Sequence, residues 1–199
     1  MINDNVIEKH IPFHTSVHVS KLNLTDEQRT AIINRVYDME KTLNSEIISN
    51  VGGWQSPSLS DPTGLPEEPA IQQIFYLLGK VISDYKFTEN LRPYLNNYWF
   101  NVNRSGDYNR AHNHPRSNFS ATFYLKVPDG DCGNIQFLRT DKQEFALPRS
   151  DAAGTYGSYY INAMEDIVII FPSHLDHCVE ANNTQEDRIS CALNFELKP

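Results

Sequence analysis

The chain is poor in cysteine, with Cys132, Cys178 and Cys191 in 199 residues. An odd, sparse set builds no disulfide framework, so a cross-linked secreted scaffold is excluded. The three thiols are expected to be buried or half-buried in a reducing compartment. No run reaches the roughly 18 consecutive apolar residues of a membrane span. The opening "MINDNVIEKH" lacks the basic and apolar regions of a signal peptide. A cytoplasmic protein without a membrane partner is the expectation. Positive charge is scarce as well: 17 Lys and Arg stand against 25 Asp and Glu, for a formal charge of −8, and no basic cluster occurs. Phosphate backbones need clustered cations, so nucleic acid is not an expected partner. Also missing are a Gly-rich phosphate loop, a nucleophile elbow, an internal repeat and a low-complexity tail.

What is present is an ordinary globular composition, 40% apolar and 21% charged, with seven histidines. The length fits one domain over 1–199. Its first part, 1–95, reads as helical with a supporting strand over 13–19. His10, His14 and His18 share one face there, but no carboxylate or thiol accompanies them, so a metal role is not favoured. "LNLTDEQRTAIINRVYDMEKTLN" predicts a helix. Thr25 caps it, Asp26 and Glu27 suit its positive end, and Ile32, Ile33, Val36, Tyr37, Met39 and Leu43 form its apolar stripe. "EEPAIQQIFYLLGKVISDYKF" predicts a second helix, with acids and proline at its start. The stretch between them, dense in Gly, Pro and Ser, is loop chemistry. From 96 onward, short runs rich in β-branched and aromatic residues alternate with turn signals, which predicts a β-sandwich or barrel core. The helices are expected to pack on one face of its sheet.

The chemistry concentrates in "YNRAHNHPRSNFSATFYLKVP", 108–128. Residues two apart on an extended chain point to one side, so His112 and His114 project together if the segment is extended. Pro115 biases His114 that way. Such a pair alone in a polar loop is usually just solvated. Downstream, "FPSHLDHCVE" places His174 and His177 at the start of another strand, and Arg188 and Ser190 are again two apart. Imidazoles suit Fe(II), Zn and Cu. An arginine beside a hydroxyl suits a carboxylate, which its planar guanidinium can hold through two parallel bonds. Metal at one end and a carboxylate anchor at the other is a layout for a chelating dicarboxylate.

In this order, His-x-His, "SATFYLKVP", "GNIQF", "IVIIFPSHLDHCV" and "RISCALNFEL" resemble the iron(II)/2-oxoglutarate-dependent dioxygenases, over about 98–197. Within them the chain is most similar to an uncharacterised bacterial and phage group related to prolyl hydroxylases. The resemblance implies a double-stranded β-helix (jelly roll, cupin-like), mainly β, with the N-terminal helices packed on the sheet. It implies Fe(II), 2-oxoglutarate and O2 as cofactor and co-substrates, with ascorbate as a supporting reductant. It also implies hydroxylation of a peptide or protein residue or a small metabolite, with release of succinate. His112 and His177 match the family's metal histidines. Arg188, Ser190 and Tyr124 match groups that hold the distal carboxylate of 2-oxoglutarate, and Asn194 joins them by strand spacing alone. No catalytic side chain beyond the metal centre is implied.

The departure is His114, which stands where most of the superfamily keeps a carboxylate. Three readings stay open: His114 ligates, or water takes its place, or Asp107 or Asp176 supplies the carboxylate. His177 is favoured over His174 as the third ligand, and Asp176 is a candidate to orient a histidine. Trp54, Tyr98, Trp99 and the loop over 51–66 are candidates for the mouth, with core packing equally open for Trp54; Arg104, Arg110 and Arg116 join them if the mouth is basic, Arg110 and Arg116 being otherwise solvated surface charges. Two rivals stand beside this reading, a cupin-like metal enzyme that does not use 2-oxoglutarate and a non-catalytic metal-binding β-sandwich. A homodimer is carried as one option, since nothing in the sequence decides the oligomeric state.

Overall fold

The computed structural model describes residues 15–85, 87, 89–138 and 158–199. His10, His14 and the first part of the predicted early strand lie outside the described residues. The strand that is seen there, β1 (His18–Lys21), starts later than predicted.

Helix α1 (Asp26–Thr42) begins where the sequence placed it. The Thr25 hydroxyl accepts from the Gln28 backbone N–H, and the Gln28 side chain accepts from the Thr25 N–H, so two otherwise unpaired donors are satisfied reciprocally. Ile32, Val36 and Met39 are its buried stripe, whereas Leu43, predicted to extend it, is exposed past the last turn. Helix α2 (Glu68–Asp84) has proline in its first turn and buries Ile71, Ile74, Leu78, Val81 and Ile82 at helical spacing.

The strands form two antiparallel sheets. One joins β1 to β9 (Ile167–Pro172), β6 (Phe119–Lys126), β11 (Arg188–Lys198), β4 (Arg92–Asn103) and the short β3 (Trp54–Gln55), in that order. The other runs β2 (Asn50–Val51), β5 (Tyr108–His112), β10 (His177–Val179), β7 (Ile135–Leu138) and β8 (Ser158–Ile161). Strand alternation sorts each central strand of the six-stranded sheet into two faces. Tyr98, Phe100 and Val102 of β4, Phe123 and Leu125 of β6, and Ile189, Cys191, Leu193 and Phe195 of β11 pack with the two helices in one core. The opposite faces look toward the second sheet, where Tyr124, Ile135, Phe137, Ile169 and Phe171 form a smaller core. The helices therefore cover the outside of the larger sheet, as predicted, and leave its inner face for a site.

This sorting corrects two of the mouth candidates. Tyr98 points to the helix side and is wholly buried, its hydroxyl donating to Glu67 at 2.9 Å. Trp54 lies in the same core, with its indole N–H donating to the Leu43 carbonyl at 3.1 Å. The segment around it is not an open lip either. At Gly52 and Gly53, both left-handed, the chain crosses from β2 in one sheet to β3 in the other. A Cβ on Gly52 would lie 1.9 Å from the Asp107 carboxylate, so only glycine fits that crossing.

Glu67 is fully buried under the helices, bound to Tyr98 and to the half-buried Arg35 at 3.2 Å. Removing it strands a cation and a phenol. Glu67→Ala is expected to cost about 2–4 kcal/mol, read as a lower urea midpoint with an unchanged denaturant slope.

Candidate functional site

His112 closes β5 and His177 opens β10, and the antiparallel register sets the two directly opposite each other. A β-bulge does further work here. His177 pairs with His112 and Val179 with Asn109, so three steps on β5 face two on β10. The extra residue turns both Asn109 and His112 into the inter-sheet space, which simple alternation forbids for residues three apart. Just beyond the strand the His114 N–H donates to the Ser173 carbonyl at 2.9 Å. His114 thereby returns to the same side as His112.

The three imidazoles converge. Their ring centroids are 4.3 Å (His112–His177), 5.1 Å (His112–His114) and 5.1 Å (His114–His177) apart. Their nearest nitrogens all lie within 4.8 Å of one another, a group able to hold a metal ion. Nδ1 of His112 faces the Arg110 carbonyl at 2.7 Å, and Nδ1 of His177 faces that of Leu175 at 2.9 Å. A carbonyl only accepts, so each Nδ1 carries the proton and each Nε2 presents a lone pair. Burial lowers all three pKa values, that of His177 to about 4 and that of His114 to about 3, and the neighbouring rings lower these two further. The rings are therefore neutral at physiological pH, the state a metal needs.

No carboxylate joins this group among the described residues. Asp107 is committed elsewhere, accepting from the Arg104 N–H at 2.7 Å in the β4–β5 turn. Asp176 accepts from Asn113 at 2.7 Å, so backbone carbonyls, not this acid, orient the rings. His174 is exposed on the turn after β9 and stands outside the group. Cys178, next to His177, turns away to donate to Gln136, so no thiol closes the group as in a structural zinc site.

The inner faces of β11, β6 and β4 supply the rest of the cavity: Arg188, Ser190, Ala192, Tyr124, Asn101 and Trp99 all line it together with the histidines. Ser190 lies opposite Tyr124 on one side and Asn101 on the other. Arg188 is 1% exposed. Its Nη1 donates to the carbonyls of Cys132, Gly133 and Glu180, while Nη2 is buried without a partner. Burial lowers its pKa; the charges of Asp107 and Glu180 favour the cation from a distance, but neither carboxylate forms an ion pair with it. Burial likewise pushes the Tyr124 hydroxyl up to about 12, so it stays a proton donor. One end of the cavity thus offers hydrogen-bond donors and a buried cation with an unpartnered nitrogen, the other three lone pairs. An orphaned guanidinium nitrogen calls for an anion, and the residues present fit both a metal and a carboxylate.

Asn194 stands on the same face of β11 as Arg188, as its spacing predicted, but it does not line the cavity. Its amide accepts from Ser120 at 2.8 Å and donates to Asn97 at 3.1 Å. Arg104 pairs with Glu40 at 2.8 Å and with Asp187 at 3.6 Å, which holds it off the mouth, while Arg110 and Arg116 are exposed. Trp99 is the mouth candidate that reaches the site, its ring 5.5 Å from that of His114. Sequence reading missed Asn101, whose Oδ1 is buried with no partner. The signal was there: the polar alternates Asn97, Asn101 and Asn103 interleave with Tyr98, Phe100 and Val102. Asn109 had no such signal, because it reaches the cavity only through the bulge.

Residues 97–194 match the family described as "Putative 2OG-Fe(II) oxygenase". No curated protein matches the chain in sequence. Among solved structures it resembles a Pseudomonas putida prolyl-4-hydroxylase at 14% identity and TM-score 0.61, over 93% of this chain and 94% of that one. It also resembles a Trichoplax adhaerens prolyl hydroxylase in complex with a hypoxia inducible factor peptide fragment, at 14% identity and TM-score 0.60, over 90% and 83% of the two chains. A third likeness is to HygX from Streptomyces hygroscopicus with nickel, 2-oxoglutarate and hygromycin B bound, at 14% identity and TM-score 0.57, over 92% and 83%. These likenesses bear on the fold, a double-stranded β-helix, and the family match covers the strands that carry the histidines and Arg188. Residues 97–194 thus carry the pattern of the 2OG-Fe(II) oxygenase family, on a fold shared with solved members of it.

Proposed function

We propose that His112, His114 and His177 hold Fe(II), that Arg188, Ser190 and Tyr124 hold the distal carboxylate of 2-oxoglutarate, and that the enzyme hydroxylates a peptide residue or a small metabolite. One observation carries this reading: three imidazole lone pairs and the unpartnered Nη2 of Arg188 share one cavity. Iron, when bound, supplies the oxidative chemistry that couples O2 and 2-oxoglutarate to hydroxylation of a C–H bond. The chain's own share is position and dryness. Tyr124 and Ser190 offer neutral donors beside the buried cation, and none of these groups has to move a proton. Asn194 acts at one remove. It accepts from Ser120, which meets the Ser173 hydroxyl at 2.8 Å, and the Ser173 carbonyl takes the His114 N–H. That chain fixes the segment on which His114 rides. Trp99, half-buried beside His114, is the surface a substrate meets first.

The test is to incubate the purified protein with Fe(II), ascorbate and 2-oxoglutarate and to measure succinate. Metal binding without 2-oxoglutarate binding would favour a cupin-like enzyme, and neither kind of turnover would leave only a metal-binding module. Addition of peptides or of small metabolites then separates the two substrate classes by which of them stimulates succinate release.

The ligand count has its own test. His114→Ala is expected to lower Fe(II) affinity by roughly tenfold or more, whereas His114→Asp, which restores two histidines and a carboxylate, keeps it. An unchanged iron affinity in His114→Ala removes His114 from the ligand set.

A further inference from the structure

Arg188 is held by backbone, not by a side-chain partner. The carbonyls of Gly133 and Glu180 lie 3.0 and 3.3 Å from Nη1, and that of Cys132 also accepts from it. A guanidinium carries five N–H donors in one rigid plane. Three carbonyls converging on one nitrogen fix that plane, and Nη2 is left buried without a partner. The end-on grip through both Nη atoms is therefore not what this site offers, because Nη1 is already occupied.

Gly133 makes this arrangement possible. It has φ +81°, and a Cβ there would lie 2.3 Å from the Glu180 carbonyl, 2.7 Å from that of Ala181 and 2.7 Å from Arg188 Nη1. Gly130, in the same loop, has φ +100°, yet a Cβ there would meet only the Thr184 methyl, at 3.7 Å. Alanine at either position strains the backbone in a left-handed conformation. Only at Gly133 does it also displace the arginine.

We propose that the Cys132–Gly133 turn sets co-substrate selectivity: it clamps Arg188 in one plane so that Nη2 meets the distal carboxylate of a 2-oxo diacid, and 2-oxo acids without that carboxylate are rejected. The proposal rests on the 2-oxoglutarate reading of the cavity. Gly133 is a positioning residue that acts through Arg188. The discrimination arises because a diacid pairs with the buried Nη2, whereas a monoacid closes the cavity over it and leaves it without a partner. A loose arginine would follow its ligand and lose this asymmetry.

The experiment titrates Ni(II)-loaded protein, in which turnover does not consume the ligand, with 2-oxoglutarate and with 2-oxobutyrate. Wild type is expected to prefer 2-oxoglutarate by about a hundredfold. Gly130→Ala keeps that ratio. Gly133→Ala lowers it by at least about tenfold with Ni(II) affinity unchanged, a change that general destabilisation would not produce, since it weakens both acids alike. A Gly133→Ala protein with the wild-type ratio overturns the clamp. Should that variant fail to fold, Arg188→Lys serves: a bare ammonium lacks the fork that the three carbonyls orient, so the ratio is expected to fall, and a wild-type ratio overturns the clamp equally. A wild-type protein that binds both acids alike overturns the 2-oxoglutarate reading, and the clamp with it.

Discussion

Arg188→Ala abolishes 2-oxoglutarate-dependent succinate release and weakens 2-oxoglutarate binding by about a hundredfold or more, while the metal content stays at the wild-type level. The expectation follows from burial and bookkeeping of donors. Arg188 is 1% exposed, and its Nη2 has no protein partner. A carboxylate that enters beside it makes charge-assisted hydrogen bonds in a region that excludes water. Losing one partner of such a buried pair typically costs about 2–5 kcal/mol, and each 1.4 kcal/mol is tenfold in affinity. Tyr124 and Ser190 line the same cavity but are neutral, so they cannot replace the charge. Because the alanine variant also leaves a void, Arg188→Met is the companion that keeps volume without the donors. Both variants should lose 2-oxoglutarate affinity together. Retention of wild-type affinity in either one moves the anchor to another residue.

His177→Ala is expected to lose the metal. An apparent 10–16 kcal/mol is typical for a four-ligand structural zinc site. Shared over its ligands, that makes one imidazole worth about two to three orders of magnitude in affinity. His177 is the most buried of the three and lies opposite His112 in the β5–β10 ladder, so its loss leaves a hole that His174, exposed on its turn, does not reach. Iron content after dialysis measures this directly.

The same burial makes the metal-free protein sensitive to acid. The pKa of His177 is lowered to about 4 and that of His114 to about 3 in the fold, against 6.5 for the unperturbed group. Between those limits the unfolded chain binds protons that the folded chain does not, so stability rises with pH there. It is fully present above about 6.5 and drains away as the pH falls toward 4. In the presence of a chelator, the urea midpoint is expected to drop between pH 7 and pH 4.5, and His177→Ala should flatten that slope. A midpoint that does not move between these pH values would show that the rings are not buried in the neutral state.

Much of this site was visible along the chain. Parity alone put Arg188 and Ser190 on one face of β11, with Ile189 and Cys191 on the other. It also put Asn194 on the inner face, although its amide is spent on Ser120 and Asn97 rather than turned to the cavity. Thr25 announced the start of α1, because a helix leaves its first N–H groups unpaired and a hydroxyl at that point answers them. The spacing of His112 and His114 needed only that the segment stay extended, which Pro115 favours. The mouth was read less well. For Trp54 the sequence left the mouth and the core equally open, and Tyr98 stood as a mouth candidate; both sit in the core under α1 and α2. A single strand does not reveal which of its faces the helices cover.

Residue types and their periodicity decide what is local: which segments are helix or strand, which side chains share a face, and that imidazoles, an arginine and a hydroxyl come in an order suited to a metal and a diacid. These follow from backbone geometry that each segment carries with it. The rest depends on partners distant in the chain. The bulge that turns both Asn109 and His112 inward exists only because β5 pairs with β10. The grip on Arg188 comes from carbonyls 8 to 56 positions away, groups that every residue possesses and no side chain advertises. Among the described residues the three-histidine group gathers no carboxylate, since Asp107 is held in the β4–β5 turn and Asp176 by Asn113. Pairing register and burial are properties of the assembled sheets, and they settle which of the polar residues written along the chain are free to meet a ligand.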